Sequence, residues 1–291
     1  WRSIEIIIID DCSTDDTFKK INSFAINNRK ISVFRNNNNY GVGFSRNRVI
    51  KEAKGEFVVF FDDDDESLKN RVSEQYNRIK DYENKFANGA PVICYTARKI
   101  IYQNGKMRIE KTMGQILDKL GPNGPAVARR VLHGEPLMDA YGSCPTCSQM
   151  ARLNTYKLVG GFDPLFRRGE DTDFNIRLAI AGGHFVGISE PLVIQTMTLT
   201  SDKSLHEEYK YMKMLLFKHR DFIKQKVNFK FIIYWLDFKQ AWMEARYFVF
   251  FNLFIKLLFS YPITTIRRLI FSIPNYGLNR AFSRFYKNEA D

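Results

Sequence analysis

The chain has 291 residues, 45% of them hydrophobic, and a formal charge of +12, enough to bury a substantial core in one large domain or two smaller ones. Its four cysteines (Cys12, Cys94, Cys144, Cys147) make no disulfide framework in a chain this long, and nothing in the composition is collagen-like or disordered. The charge is uneven: from Lys210 onward fifteen Lys and Arg face five acids, so a basic tail on a nearly neutral body implies an anionic partner for the tail.

The first third alternates strand and helix. "IEIIIID" (residues 4–10) is a short β-branched apolar run ending on Asp10 and Asp11, followed by a turn with Ser13, Thr14 and Asp15 as helix caps. "FKKINSFAIN" has helical period, "KISVFRN" reads as a second strand and "NNNNYGVG" as a loop. "FSRNRVIKEAKG" predicts a short helix stopped at Gly55, and "EFVVFF" a strand covered on both faces. This alternation predicts an α/β chain with a doubly wound, mostly parallel sheet. In such sheets ligands bind beyond the carboxyl ends of the strands. The two acidic clusters, Asp10–Asp11 and Asp62 to Asp65, both fall at that edge.

A helix is expected over about 67–86, then the strand "PVICYTARKIIY" and the turn "QNGK". Residues 106–140 carry little readable pattern, apart from a break at "GPNGPA". "CPTCSQMARLNTYKLVGGFDP" predicts a strand, a short helix and a Gly-Gly turn, and "GEDTDFNIRLAIAGG" a helix opening on acids. From Ser201 a helix capped by Ser201 or Asp202 leads into an aromatic, basic stretch.

"FFDDDDE" poses a choice. Adjacent carboxylates raise one another's pKa unless a cation neutralises them, and at a strand end Mg²⁺ or Mn²⁺ is the natural cation. The alternative is a solvated acidic turn that caps the next helix. A second acidic strand end, at Asp10–Asp11, favours a ligand site over accident.

Three spaced motifs then carry a resemblance over roughly residues 1–200. "IEIIIIDDCSTDDT", "NNYGVGFSRNRVIKEAKGEFVVFFDDDDE" and "GGFDPLFRRGEDTDFNIRLAIAGG" resemble the ordered motifs of family-2 glycosyltransferases with the GT-A fold. The resemblance implies that Asp11, with Asp10 beside it, contacts the base or ribose of a nucleotide-sugar, and that Arg46 lies near the nucleotide. It implies that Asp62 and Asp64 form the metal-binding D-x-D pair around Asp63, with Asp63 and Asp65 as the other frame. It implies Asp171 as general base, with Glu170 orienting the acceptor. The bland reading of Glu170 and Asp171, complementing the helix dipole, is worth only about 0.3–1 kcal/mol. The family's first strand is expected to precede Trp1, so the sheet is expected to lack an inner strand here. His184 reads as structural and His206 as a weak metal ligand. "CPTC" reads as packing, because a zinc site needs a second ligand pair.

The division expected is a nucleotide-sugar-binding half (1–100), an acceptor-binding half (101–200) and a basic, aromatic helical region (201–291). The implied enzyme is an inverting, metal-assisted glycosyltransferase using Mg²⁺ or Mn²⁺ and a nucleoside diphosphate sugar, UDP being the expected nucleotide. Its expected acceptor is a glycan or lipid-linked glycan at the cytoplasmic face of a membrane, with no nucleic-acid partner. "ARYFVFFNLFIKLLFSYPITTIRRL" reads as either an interfacial segment on an anionic leaflet or a packed helical bundle, rather than a span. Two readings compete with the whole. One is a metal-dependent nucleotidyltransferase, which lacks a visible triphosphate loop. The other is a non-enzymatic basic module, which leaves both acidic strand ends unexplained.

Overall fold

The computed structural model describes residues 3–140, 142–197 and 204–272. It divides into two compact units, Trp1–Ala128 with Leu137–Thr198, and Arg129–Pro136 with Leu199–Asp291.

In the first unit the chain runs β1 (Ile6–Asp10), α1 (Thr17–Ala25), β2 (Ile31–Arg35), α2 (Val42–Glu52), β3 (Phe57–Val59) and β4 (Asp65–Ser67). Next come α3 (Arg71–Tyr82), prolonged by a wide π turn over Glu83–Ala87, then β5 (Val92–Ile101), β6 (Met107–Glu110) and α4 (Gly124–His133), whose last turn belongs to the second unit. β7 (Gln149–Arg152), α5 (Leu153–Leu158), α6 (Glu170–Ile180) and β8 (His184–Thr196) complete it. The strands expected in the first third are present, and α1 and α2 lie between them.

The α/β class and the alternation are as expected, but the parallel share is smaller than alternation predicts. β1 and β2 pair in parallel as a separate ladder, and the other six strands form a sheet in the order β3-β7-β5-β8-β4, with β6 against β5. Only β5–β8 is parallel in that sheet; β3–β7, β4–β8, β5–β6 and β5–β7 are antiparallel. The cause lies in the connections. A tight turn at Asp62–Asp65, closed by the Asp65 N–H on the Asp62 carbonyl at 3.4 Å, makes β4 reverse direction, and β7 returns from a long excursion. The expected helix over 67–86 therefore begins later, at Arg71, because Ser67 is spent on β4.

α3 seals one face of this sheet. Ile79 and Tyr82 pack with Ala87, Val92, Cys94, Met150 and Val186, a cluster in which each buried large side chain contributes about 1.5–3 kcal/mol. α2 ends at Glu52 rather than at Gly55. The Glu5 carboxylate accepts the N–H groups of Lys54 (2.7 Å) and Gly55 (2.6 Å), so a side chain supplies the stop that glycine was expected to provide.

The second unit is helical: α7 (Leu205–Lys218), α8 (Arg220–Lys224), α9 (Phe229–Met243), α10 (Tyr247–Ser260) and α11 (Pro262–Ser272). Ser204 caps α7 by accepting the Glu207 N–H at 3.2 Å; the caps expected at Ser201 and Asp202 lie outside the described residues. The apolar stretch 247–266 is broken at Tyr261, with Pro262 opening α11 where its missing N–H costs nothing. No described helix is long and apolar enough to cross a membrane. One face of α10 packs on α9, with Phe250 and Phe254 stacked on Phe238 at 4.5 and 5.9 Å.

Candidate active site

α2 is the hub of the site, because successive residues on it face different partners. Arg46 is buried and bridges two acids that are far apart in sequence. Its Nη1 donates to Glu170 Oε1 at 2.6 Å and its Nη2 to the Asp62 carboxylate at 3.0 and 3.3 Å. The guanidinium carbon lies 5.7 Å from the centre of the Phe162 ring. Next to it, Asn47 donates to the Phe162 carbonyl and accepts the Phe162 N–H, both at 2.7 Å. These bonds tie the Gly-Gly-Phe turn, and hence the start of α6, to α2. Arg46 thus places the end of β3 and the first turn of α6 around one cation, whose charge the two carboxylates stabilise against the cost of burial.

On its other side α2 organises the first acidic turn. Arg48 donates to Asn36 Oδ1 at 2.8 Å, and Asn36 donates to Ser45 Oγ at 3.0 Å and Asp11 Oδ1 at 2.7 Å. Asp11 also accepts the N–H of Tyr40 (3.1 Å) and of Gly41 (2.7 Å). Gly41 has φ +90°, a left-handed conformation that glycine adopts without strain. Asp11 is therefore the anchor of the Asn-rich loop. Asp10 pairs with Arg35 at 3.2 Å and accepts the Ser13 N–H at 3.2 Å, leaving its buried Oδ1 without a partner.

At the end of β3 the four aspartates divide. Asp63 and Asp64 are exposed, in the turn, while Asp62 and Asp65 are partly buried. Ligand atoms of Asp62, Asp65 and Cys147 lie within 4.8 Å of one another. Asp65 starts β4, opposite Gln195 of β8; its Oδ2 sits 3.5 Å from Gln195 Nε2 and its Oδ1 is buried with no partner. Burial pushes the Asp65 carboxyl up to about 6, with the charges of Asp62 and Asp64 adding to the shift. Cys147 is 2% exposed, and burial drives its thiol up to about 12. Asp62 and Asp65 offer carboxylate oxygens, the donors that Mg²⁺ and Mn²⁺ prefer. An orphaned carboxylate oxygen beside further carboxylates fits such an ion.

Asp171 follows Glu170 in the first turn of α6. Its Oδ1 accepts the N–H and the hydroxyl of Thr172, at 2.6 and 3.2 Å. Protein surrounds the carboxyl closely enough to raise its pKa above the usual 3.8, opposed by the charge of Arg46. Glu170 is raised as well, by burial and by the neighbouring Asp171. His184 shares a 2.9 Å hydrogen bond with the Tyr82 hydroxyl, the structural role expected of it. His206 lies on α7 of the second unit.

Sequence reasoning did not single out Gln195 or Arg98, and read Cys147 only as a packing residue. Arg98 donates to Gln195 Oε1 at 2.5 Å, to Ser143 Oγ at 2.9 Å and to Glu110, and supports Cys147 at 3.8 Å. The only local signal for any of them was "CPTC", whose two free thiols, one half-buried and one buried, are both pushed up to about 12 by the protein around them.

Residues 1–144 match the family model described as glycosyl transferase family 2. A stretch of 75 residues is 41% identical to the UDP-Glc:alpha-D-GlcNAc-diphosphoundecaprenol beta-1,3-glucosyltransferase WfaP of Escherichia coli, covering 26% of this chain and 29% of that protein. A stretch of 127 residues is 32% identical to the poly(ribitol-phosphate) beta-N-acetylglucosaminyltransferase TarS of Staphylococcus aureus, covering 37% of this chain and 22% of that one. The matches thus span under a third of either relative. A crystal structure of a S. aureus TarS fragment in complex with UDP-GlcNAc superposes with a TM-score of 0.54 at 18% identity, over 81% of this chain and 63% of that one. At that identity the likeness carries the fold, and the fold is GT-A.

Proposed function

Residues 1–144 belong to glycosyl transferase family 2, and on that premise we propose that this protein moves a sugar from a nucleoside diphosphate sugar to a hydroxyl of a glycan or lipid-linked glycan, with inversion. The observation that carries the reading is the Arg46 bridge, which brings the acidic end of β3 and the Glu170–Asp171 turn to one cation.

The acceptor hydroxyl loses its proton to Asp171 as its oxygen attacks the anomeric carbon. The bond from that carbon to the diphosphate breaks, and the diphosphate leaves with the electron pair. A single displacement from the opposite face inverts the centre, and general-base help of this kind is worth roughly 10²–10⁴-fold. Glu170, fixed by Arg46, orients the acceptor. Asp62, with Asp64 and Asp65 beside it, would hold Mg²⁺ or Mn²⁺, which supplies charge stabilisation to the leaving diphosphate when bound. The loop that Asp11 anchors, with Asp10 and Asp63, faces the nucleotide. UDP is the proposed nucleotide, because WfaP is named for UDP-Glc and the superposed TarS structure holds UDP-GlcNAc. Calorimetric titration with UDP in Mn²⁺ is expected to give binding that EDTA removes and that Asp62→Asn weakens roughly tenfold or more. Metal-independent binding would remove the metal from this account, and no binding at all would remove the nucleotide-sugar reading.

The acceptor side of the proposal includes a membrane surface at the cytoplasmic leaflet. The outer face of α10 leaves Phe248, Phe251, Ile255 and Phe259 exposed, with Phe248 and Phe259 more than 80% so. These positions repeat at helical spacing on a basic unit, the pattern of an interfacial helix. Sedimentation with phosphatidylglycerol vesicles is expected to capture the protein, and Phe248→Asp with Phe259→Asp to release it. Equal capture of the double variant would assign the face another role.

A further inference from the structure

Among the described residues of the second unit, one group of cations stands out for its shortage of paired acids. On α9, Trp235 and Lys239 are one turn apart and share a face. Arg268 of α11 sits with its guanidinium carbon 5.7 Å from the Trp235 ring centre. It lies against Gly134, where a Cβ atom would fall 2.5–2.9 Å from the guanidinium atoms and make the side chain shift. Beside Gly134, His133 is 4% exposed and neither ring nitrogen has a hydrogen-bond partner. The acid facing this group is Glu135, 3.7 Å from His133 Nδ1 and already paired with Arg129 at 3.1 Å.

No carboxylate among the described residues pairs with Lys239 or Arg268. Their neighbours are other cations: burial, then Arg130, pulls Arg268 down to about 10, and burial, then Arg268, pulls Lys239 below the usual lysine value. His133 is lowered by burial too, with Arg268 and Arg129 adding to it against Glu135. Folding therefore brings like charges near one another, an arrangement that proteins avoid unless something compensates it. Lys239 nevertheless remains exposed to solvent and Arg268 partly so.

We propose that this group of side chains in the second unit, Arg130, His133, Lys239 and Arg268, is a seat for a phosphate group. Arg268 presents a planar fork that can donate two parallel hydrogen bonds to phosphoryl oxygens, and Lys239 supplies a point charge. Phosphate suits the set better than a carboxylate because several cations meet a group that bears more than one negative charge. The phosphate can come from a lipid headgroup, since α11 also exposes Ile263, Ile266 and Ile270, or from a free phosphate or diphosphate. The seat is formed by residues of the second unit alone and does not rest on the glycosyltransferase reading.

The test is thermal denaturation and calorimetry with inorganic pyrophosphate in EDTA, which keeps divalent metal away from the aspartates. Pyrophosphate should raise the melting temperature of the wild-type protein. Without pyrophosphate, Arg268→Gln and Lys239→Gln should melt no lower than wild type, since each removes a repulsion. Both should lose most of the pyrophosphate-induced rise and bind it about tenfold more weakly or worse. A rise of equal size in Arg268→Gln, or variants that melt lower yet keep the full rise, would overturn the proposal and leave Arg268 as a packing residue on Trp235. A second arm uses phosphatidic acid and phosphatidylcholine vesicles. Capture by phosphatidic acid alone that Arg268→Gln abolishes assigns the seat to a lipid headgroup, and supports the proposal even if pyrophosphate binds poorly. Pyrophosphate binding without that capture assigns it to a soluble phosphate. Neither binding nor capture would overturn it. Calorimetry with UDP and Mn²⁺ on Arg268→Gln reads the donor site separately, so a failure of one reading does not pass for a failure of the other.

Discussion

Arg46→Ala is expected to destabilise the protein by about 3 kcal/mol and to abolish transfer. The side chain is 10% exposed and neutralises two carboxylates at once, Asp62 and Glu170. Removing one partner of a buried pair leaves an uncompensated charge, at a cost of roughly 3–5 kcal/mol. The lower end applies because the Asp62 side chain is 30% exposed and water screens part of its charge. Arg46→Lys should recover part of the stability and little of the activity, because an ammonium cannot reach both acids with the geometry of a guanidinium. Chemical denaturation and transfer assays on the two variants check this. An alanine variant as stable as wild type would mean that the two acids are held by something else.

Asp171→Asn should lower kcat by roughly 10²–10⁴-fold while leaving UDP affinity unchanged. The amide keeps the hydrogen-bonding shape at Thr172 but cannot accept a proton. The pH profile gives an independent check. Burial raises the Asp171 carboxyl above its ordinary 3.8, against the pull of Thr172 and Arg46. The working form is the carboxylate, so activity is complete above the raised pKa and is lost as the pH falls through it. The acid limb of kcat/KM is therefore expected above the 3.8 of an ordinary aspartate. Glu170 is raised in the same sense and interacts with Asp171, so the limb reports the pair rather than one residue. Unchanged turnover in Asp171→Asn would remove it as the base.

The outline of the fold was legible where one residue pattern decided the structure. β1, β2, β5, α2 and α6 follow from apolar runs, helical periods and Gly stops. β8 was not legible, since it carries Glu190 and Pro191 mid-strand and shifts register against β5 around Ala97. The same limit applied at the site. Asp62 and Asp171 stood out locally, but the position of Asp65 depends on the β4–β8 register that sets it opposite Gln195. Nothing near Arg46 in sequence indicates that it pairs with both Asp62 and Glu170; only the packing of α2 against the start of α6 shows it. The cation group of the second unit was invisible for the same reason, because its members come from three separate segments.

The Arg46 bridge also bears on how the protein is made. Asn47 and Phe162 are 115 residues apart, and Arg46 and Glu170 are 124 apart. Contacts of such separation cost loop-closure entropy before they return any stability, and they form late in folding. During synthesis, residues 1–144 emerge with Arg46 still lacking one of its two acids. The apolar strands around it are then exposed and prone to aggregation until α6 arrives. The pairing of Arg46 with Glu170, and with it the closing of α2 on α6, is thus expected late in folding.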